Sequence, residues 1–320
     1  MTGSVTPITA LTPGPLSPER AVQVQELAAA AARADGVAPL SEDVLLQVRH
    51  GNGPQARDLV LTTGGRTVAD GSVAGYAHLD EPDYEGQDGD MTGELVVHPD
   101  FRRQGHGAAL LRTLIAFAAG HSVRLWAHGD LPAAAALARS AGFTRIRALL
   151  QLRMPLARVP AGEPALPAGV TLRTFRPGAD EEAWLAVNRR AFSHHPEQGS
   201  WTLEDLRLRE AEPWFDPAGF FVAERDGQVA GFHWTKVHQP DGDGVPIGEV
   251  YVVGVDPGQQ GGGLGKALTL AGLAHLRGLG LADVLLYVDE DNTAAVRMYT
   301  GLGFSRWATD VMYRWEAAES

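Results

Sequence analysis

The sequence predicts an α+β protein built from two tandem domains of one fold. Residues 249–255 (EVYVVGV) followed by 256–266 (DPGQQGGGLGK) read as a strand, a Pro-Gly break and a glycine-rich helix start. Residues 94–98 (ELVVH) followed by 99–107 (PDFRRQGHG) have the same grammar. Aligning Val97-His98-Pro99 with Val255-Asp256-Pro257 also superposes Gly105-x-Gly107 on Gly263-x-Gly265, and a small further shift sets Ala141-Gly142-Phe143 beside Leu302-Gly303-Phe304. A chain of 320 residues, 44% hydrophobic and 21% charged, is long enough for two domains that each bury a core.

In the first half, Ser17-Pro18-Glu19 is a helix start, with Val22, Val24, Leu27, Ala28 and Ala31 on its apolar side and Asp35-Gly36 at its end. Ser41 opens a second helix to about His50. Strands follow at 59–63 and 75–79, separated by Gly64-Gly65, and residues 80–90 form an acidic loop. A strand at 94–97, a helix at 107–119, a strand at 123–127, a short helix at 132–140 and a strand at 143–154 complete this half. The proline-rich stretch 157–169 is a linker.

The second half repeats the order. It has a strand at 170–175, helices at 180–191 and 202–210 around a polar loop at 194–201, and a strand pair at 220–224 and 229–238 across Asp226-Gly227. Then come a strand at 246–255, a helix at 263–279, a strand at 282–288, a helix at 292–301 and a last strand at 304–315. The predicted domains are therefore 17–156 and 170–320, preceded by a loosely attached lead-in at 1–16.

Composition excludes several classes of function. A net charge of -12 argues against nonspecific nucleic-acid binding. No apolar run approaches the ~18–20 residues of a membrane span, and residues 1–16 lack the charged start of a signal peptide. Cysteine is absent, which removes disulfides, thiolate metal sites and a cysteine nucleophile. His194 and His195 are adjacent and have no third ligand, so no metal is expected. A cytoplasmic monomer is the expectation.

The glycine loops do not fit the common nucleotide motifs. A Walker loop ending at Gly265-Lys266 needs glycine at position 260 and a hydroxyl at 267, where the chain has Gln260 and Ala267. A dinucleotide fingerprint needs a third glycine, where Leu110 and Leu268 stand. What remains is Arg102-x-x-Gly105-x-Gly107 and Gln260-x-x-Gly263-x-Gly265. In each, the free N–H groups of a first helical turn make an anion site suited to a pyrophosphate.

Both halves resemble the Gcn5-related N-acetyltransferase (GNAT) family, whose pyrophosphate loop is Arg/Gln-x-x-Gly-x-Gly/Ala. The segment Leu285-Leu286-Tyr287-Val288-Asp289, then Asn292-x-Ala294-Ala295 and Tyr299, also resembles that family. The resemblance implies a mixed, mostly antiparallel sheet flanked by helices in each half, and acetyl-CoA as co-substrate. The strings AHG (127–129), HPEQGSW (195–201), WFDP (214–217) and GFHWTKVH (231–238) narrow it to a group of tandem members. For that group the resemblance implies acetylation of the cysteinyl amine of cysteinyl-glucosaminyl-inositol by direct transfer in a ternary complex.

In the second half the resemblance places the cofactor arm on Val253, Gly254 and Val255, and its pyrophosphate on Gln260, Gly261, Gly262, Gly263, Leu264, Gly265 and Lys266. Asn292, Thr293, Ala294, Ala295, Val296 and Arg297 complete that site. A weaker first-half site uses Leu95, Val96 and Val97 with Arg103, Gln104, Gly105, His106, Gly107 and Ala108. Glu249, on the strand under the acetyl group, is the expected base, and Tyr299 the acid that protonates the leaving thiolate. The acceptor residues implied are Glu42, Glu197, Lys236, Glu249 and Tyr287, with Glu42 reaching from the first half.

The first half offers neither acid nor base: Met91, Leu131 and Ala138 stand opposite Glu249, Asn292 and Tyr299. It is therefore expected to bind acetyl-CoA or merely to support the fold, and in either case not to catalyse transfer. Residue chemistry by itself supports acetyl transfer to a small amine. An aminoglycoside or polyamine acetyltransferase and a non-catalytic acetyl-CoA-binding regulator remain as alternatives.

Overall fold

The computed structural model describes residues 8–51, 57–64, 71–80, 89–160, 162, 164–193, 196–239 and 244–317. The chain forms two compact units: residues 1–149 with 308–320, and residues 150–307. Among the described residues no helix is long and apolar enough to cross a membrane.

The first unit starts with β1 (Ile8–Pro13), which pairs antiparallel with β2 (Arg57–Thr63). Its strand order is β1, β2, β3 (Ser72–Asp80), β4 (Met91–Val97) and β5 (Val123–Ala127), and the next strand is β12 (Ser305–Trp315) from the end of the chain. Helices α1 (Pro18–Asp35) and α2 (Glu42–His50) cover one face, and α3 (His106–Phe117) covers the other. The expected lead-in is corrected here, because Ile8–Pro13 is an edge strand. A short edge strand among Thr and Pro is set by its partner and has no strong pattern of its own.

Helix α1 begins and ends as its sequence dictates: Ser17 Oγ accepts the Arg20 N–H, and Gly36 closes the helix with φ 72°. Val24, Leu27, Ala28 and Ala31 are buried, whereas Val22, expected beside them, is 54% exposed. The buried set steps by three and four residues along one stripe, and Val22 lies about 200° around the helix from Val24.

The second unit has the order β6 (Thr144–Pro155), β11 (Asp283–Asp289), β10 (Ile247–Val255), β9 (Gln228–His238), β8 (Phe220–Arg225) and β7 (Val170–Thr174). Helices α5 (Glu181–Ala191), α6 (Pro196–Gly199), α7 (Leu203–Glu210), α8 (Leu264–Gly278) and α9 (Thr293–Leu302) flank it. In the first unit α4 (Pro132–Ser140) follows β5. Thr202 and Asp205 form a reciprocal capping box on α7, and Asp226 (φ 53°) with Gly227 (φ 76°) makes the tight β8–β9 turn.

Two boundaries move from their expected places. The closing strands are exchanged: Val311 and Tyr313 of β12 enter the core of the first unit, while Leu150, Leu152 and Met154 of β6 enter that of the second. Asp90 anchors β12 by accepting from Arg124 Nε at 2.8 Å and Arg314 Nε at 2.7 Å. The linker also begins later than 157. Leu156 and Val159 are buried, and Arg277 Nη1 donates to the carbonyls of Val159 (2.7 Å) and Pro160 (3.1 Å). The expected loop at 194–201 contains the single helical turn α6, and His194 and His195 lie outside the described residues.

Candidate active site

Each unit contains a pair of parallel strands that part after a short ladder. In the second unit Gly248, Glu249 and Val250 pair with Val284, Leu285 and Leu286. Beyond them β10 continues to Val255 against β9, with an irregularity between Val250 and Val252 where Tyr251 is the extra residue. A bulge of this kind bends the strand and frees the edge of the following residues. The chain then reverses at Pro257 into the glycine loop, and Gly263 (φ 80°) delivers it into α8. Only glycine adopts this conformation at little cost, and the first N–H groups of α8 are left facing outward as donors for an anion.

Gln260 Nε2 turns back to the carbonyl of Val255 at 3.5 Å, and Arg102 Nε makes the matching bond to Val97 at 3.1 Å. Arg102 is further held by a bidentate pair with Asp35, at 2.7 and 2.8 Å. These first motif residues thus brace the loop onto its strand, which leaves the backbone N–H groups of the following helical turn as its remaining donors. Asn292 Oδ1 caps α9 by accepting the Ala295 N–H at 3.1 Å, which sets the first turn, 293–297, beside the end of β11.

In the first unit Met91–Gly93 pair with Val123–Leu125 before the strands part. A cleft of about 470 Å³ opens there, walled by Leu95, Val96 and Val97 on one side and Leu125, Trp126 and Ala127 on the other. Arg103, Gly105, His106, Gly107 and Ala108 line it. Gln104 instead directs its amide to the Asp100 carbonyl at 3.4 Å.

The ladders also correct a residue equivalence. Met91 opposes Val123 and Gly248 opposes Val284, so the register position of Glu249 is taken by Thr92, one residue on from Met91. The extra residue at Tyr251 causes the slip, since an ungapped alignment counts through it.

Glu249 and Lys236 face each other directly across β10 and β9, and both are buried. The Lys236 ammonium lies 4.2 Å from the Trp214 ring centroid and 5.1 Å from that of Tyr251. Tyr287 lies two residues along from Leu285, the ladder partner of Glu249, and so shares its face. Lys236, Glu249 and Tyr287 are therefore brought together on one side of the sheet. Glu197 lies on α6 of the same unit, and Glu42 opens α2 in the first unit.

Tyr299 belongs to the core cluster that contains Val250, on the side opposite Glu249. It is 6% exposed and packs edge-on against Phe304, and burial raises its phenol above the usual range. A phenol in that state keeps its proton at neutral pH.

Sequence reasoning missed His238, whose Nε2 lies 2.6 Å from Glu249 Oε2. The available signal was its position two residues from Lys236 on β9, which places both on one face. It also missed the charged interior of the first unit. His78 Nδ1 and Nε2 each lie 3.0 Å from a carboxylate, Asp58 and Asp80 respectively. His128 lies 3.2 Å from Asp310 and 3.6 Å from Glu94, whose other oxygen accepts the Ser41 N–H at 2.7 Å. Burial pushes both imidazoles down, but these carboxylates outweigh it and raise them to about 9 and about 10.

The profile of the Acetyltransferase (GNAT) family matches residues 183–304, and that of an Acetyltransferase (GNAT) domain matches 62–145. The mycothiol acetyltransferase of Thermobispora bispora is 61% identical over 91% of this chain and 94% of its own. That of Thermomonospora curvata is 60% identical over 91% and 92%. Among solved structures, a tandem GNAT protein from the clavulanic acid biosynthesis pathway superposes with a TM-score of 0.72, covering 97% of this chain and all of that one at 24% identity. A GCN5-related N-acetyltransferase from Sphaerobacter thermophilus covers 97% and 96% with a TM-score of 0.66 at 25% identity.

Proposed function

The chain belongs to the GNAT acetyltransferase family, and from that premise we propose that it transfers acetyl from acetyl-CoA to the cysteinyl amine of cysteinyl-glucosaminyl-inositol, completing mycothiol. The single observation that carries the choice of acceptor is the identity of about three residues in five with mycothiol acetyltransferases over nine-tenths of the chain. The tandem arrangement and the sequence strings that resemble mycothiol synthase support the same reading.

The second unit is the catalytic one. Glu249 takes the amine proton as the amine nitrogen attacks the thioester carbonyl; an α-amine has a pKa near ~8, so a weak base suffices. The new C–N bond forms as the C–S bond breaks, and the protonated Tyr299 hydroxyl supplies the proton for the departing thiolate. His238, hydrogen-bonded to Glu249 and 39% exposed, joins the buried carboxylate to solvent. Val253–Val255 hold the pantetheine arm along the freed strand edge, the 261–266 backbone holds the pyrophosphate, and Asn292 with Arg297 completes the site. Lys236, Glu197 and Tyr287 bind the acceptor.

The first unit binds acetyl-CoA in its cleft and performs no transfer, because Thr92 and Ala138 occupy the base and acid positions. The enzyme acts as a cytoplasmic monomer on small molecules, with no nucleic-acid partner.

Incubating the pure protein with acetyl-CoA and a panel of amines, while following thiol release and product mass, tests the acceptor. An acetylated cysteinyl-glucosaminyl-inositol is expected in preference to acetylated aminoglycosides or polyamines. Absence of that product would overturn the acceptor assignment, and acetyl-CoA binding with no turnover on any amine would favour a regulator.

A further inference from the structure

The face that carries Lys236, Glu249 and Tyr287 continues past β11. On β6, Leu150, Leu152 and Met154 point into the core beneath α8 and α9, so Gln151 and Arg153 project onto the opposite side with Tyr287. Contacts within the second unit agree: Gln151 Nε2 donates to the Tyr287 hydroxyl at 2.8 Å. The Arg153 guanidinium lies 4.3 Å from the ring centroid of Trp307 on β12.

Two features of this extension are unexplained by folding. Trp307 is 63% exposed, so the Arg153 guanidinium covers only part of its indole. Arg153 is partly buried, yet its Nε has no acceptor among the described residues. Burial lowers its affinity for the proton more than the nearby Tyr287 and Asp283 raise it, so a further acceptor at the unsatisfied Nε is favourable.

We propose that Gln151, Arg153, Tyr287 and Trp307 form a subsite for a polyhydroxylated ring of the acceptor. The flat indole stacks against the C–H face of such a ring, the Arg153 fork donates to neighbouring hydroxyl oxygens, and Gln151 holds the Tyr287 hydroxyl at their edge. A purely apolar ligand would leave Arg153 Nε without an acceptor. A polyamine would meet a cation and be repelled. This inference rests on the reading that the second unit acetylates a glycosylated amine and assigns the residues that recognise its glycoside.

The test uses the full chain and glucosaminyl-inositol, the acceptor without its cysteinyl group, as a calorimetric probe. It is paired with initial rates on cysteinyl-glucosaminyl-inositol and on cysteine methyl ester. Trp307→Ala should weaken probe binding and raise KM for the conjugate by about tenfold, the scale of one lost aromatic contact, while KM for acetyl-CoA stays unchanged. Trp307→Phe should restore most of the loss, and Arg153→Met should weaken probe binding alone and in combination. Rates on cysteine methyl ester should be insensitive to all three. No probe binding by the native protein, unchanged binding by Trp307→Ala, or an equal loss on both acceptors would overturn the subsite. Failure of the native protein to acetylate the conjugate would sink the parent reading instead, and the calorimetric result would still stand or fall by itself.

Discussion

Replacing His78 with glutamine should remove a pH-dependent share of the first unit's stability. The His78 ring is fully buried and donates from Nδ1 to Asp58 and from Nε2 to Asp80, each at 3.0 Å. Burial opposes its charge, but the two carboxylates hold it protonated to about pH 9, against an ordinary value of 6.5. A folded-state pKa raised above the unfolded one contributes stability that is fully present below pH 6.5 and is lost as pH climbs through about 9. The gap of about 2.5 pH units, at about 1.4 kcal/mol per unit, amounts to about 3 kcal/mol. Packing losses in the variant are common to all pH values, so the quantity to read is the difference between its penalties at pH 6.5 and pH 10. Urea unfolding with peptide-resolved hydrogen exchange over β2 and β3 provides it. A penalty about 3 kcal/mol larger at pH 6.5 is expected, and an equal penalty at both pH values would refute the charged-histidine account.

Three further outcomes are expected. Glu249→Gln should lower kcat by roughly 10²–10⁴, with a small change in KM for acetyl-CoA, and Tyr299→Phe should lower kcat alone; full turnover in either would remove that residue's role. Gly272→Ala should cost about 2–3 kcal/mol in a urea melt, because a Cβ there would stand 2.1 Å from His233 Cε1. The His233 ring cannot easily yield, being fully buried and donating from Nδ1 to the Leu268 carbonyl at 2.7 Å. Gly263→Val should abolish acetyl transfer, whereas Gly105→Val should weaken acetyl-CoA binding in the first cleft and leave transfer largely intact; steady-state rates with equilibrium binding distinguish the two.

Much of the architecture could be read from residues alone. Caps and turns are local devices, so Ser17, Ser41, Thr202 and Asp226-Gly227 marked their elements correctly. The glycine loops were legible for the same reason, since a strand-to-helix turn with αL glycines restricts the backbone within a few residues. Lys236, Glu249 and Tyr287 converge because strand alternation and ladder register turn spacing into a shared face. Features that depend on a partner strand were not legible. Ile8–Pro13 becomes a strand by pairing with β2, and the slip from Met91 to Thr92 appears only when the bulge at Tyr251 is aligned against β9.

The sequence by itself determined that two copies of one domain exist, that each follows a strand with a glycine-rich helix start, and that only the second carries a Glu249 and a Tyr299. Tertiary structure alone decided which sheet each closing strand completes: β6 and β12 have similar alternation, and the choice rests on side chains such as Val311 and Leu152 meeting cores built from distant segments. It also decided the charge of the first unit's interior. A histidine's proton is held by whichever carboxylates folding brings within about 3–4 Å, and Asp58 for His78 or Asp310 for His128 is 20 or 182 residues away in the chain.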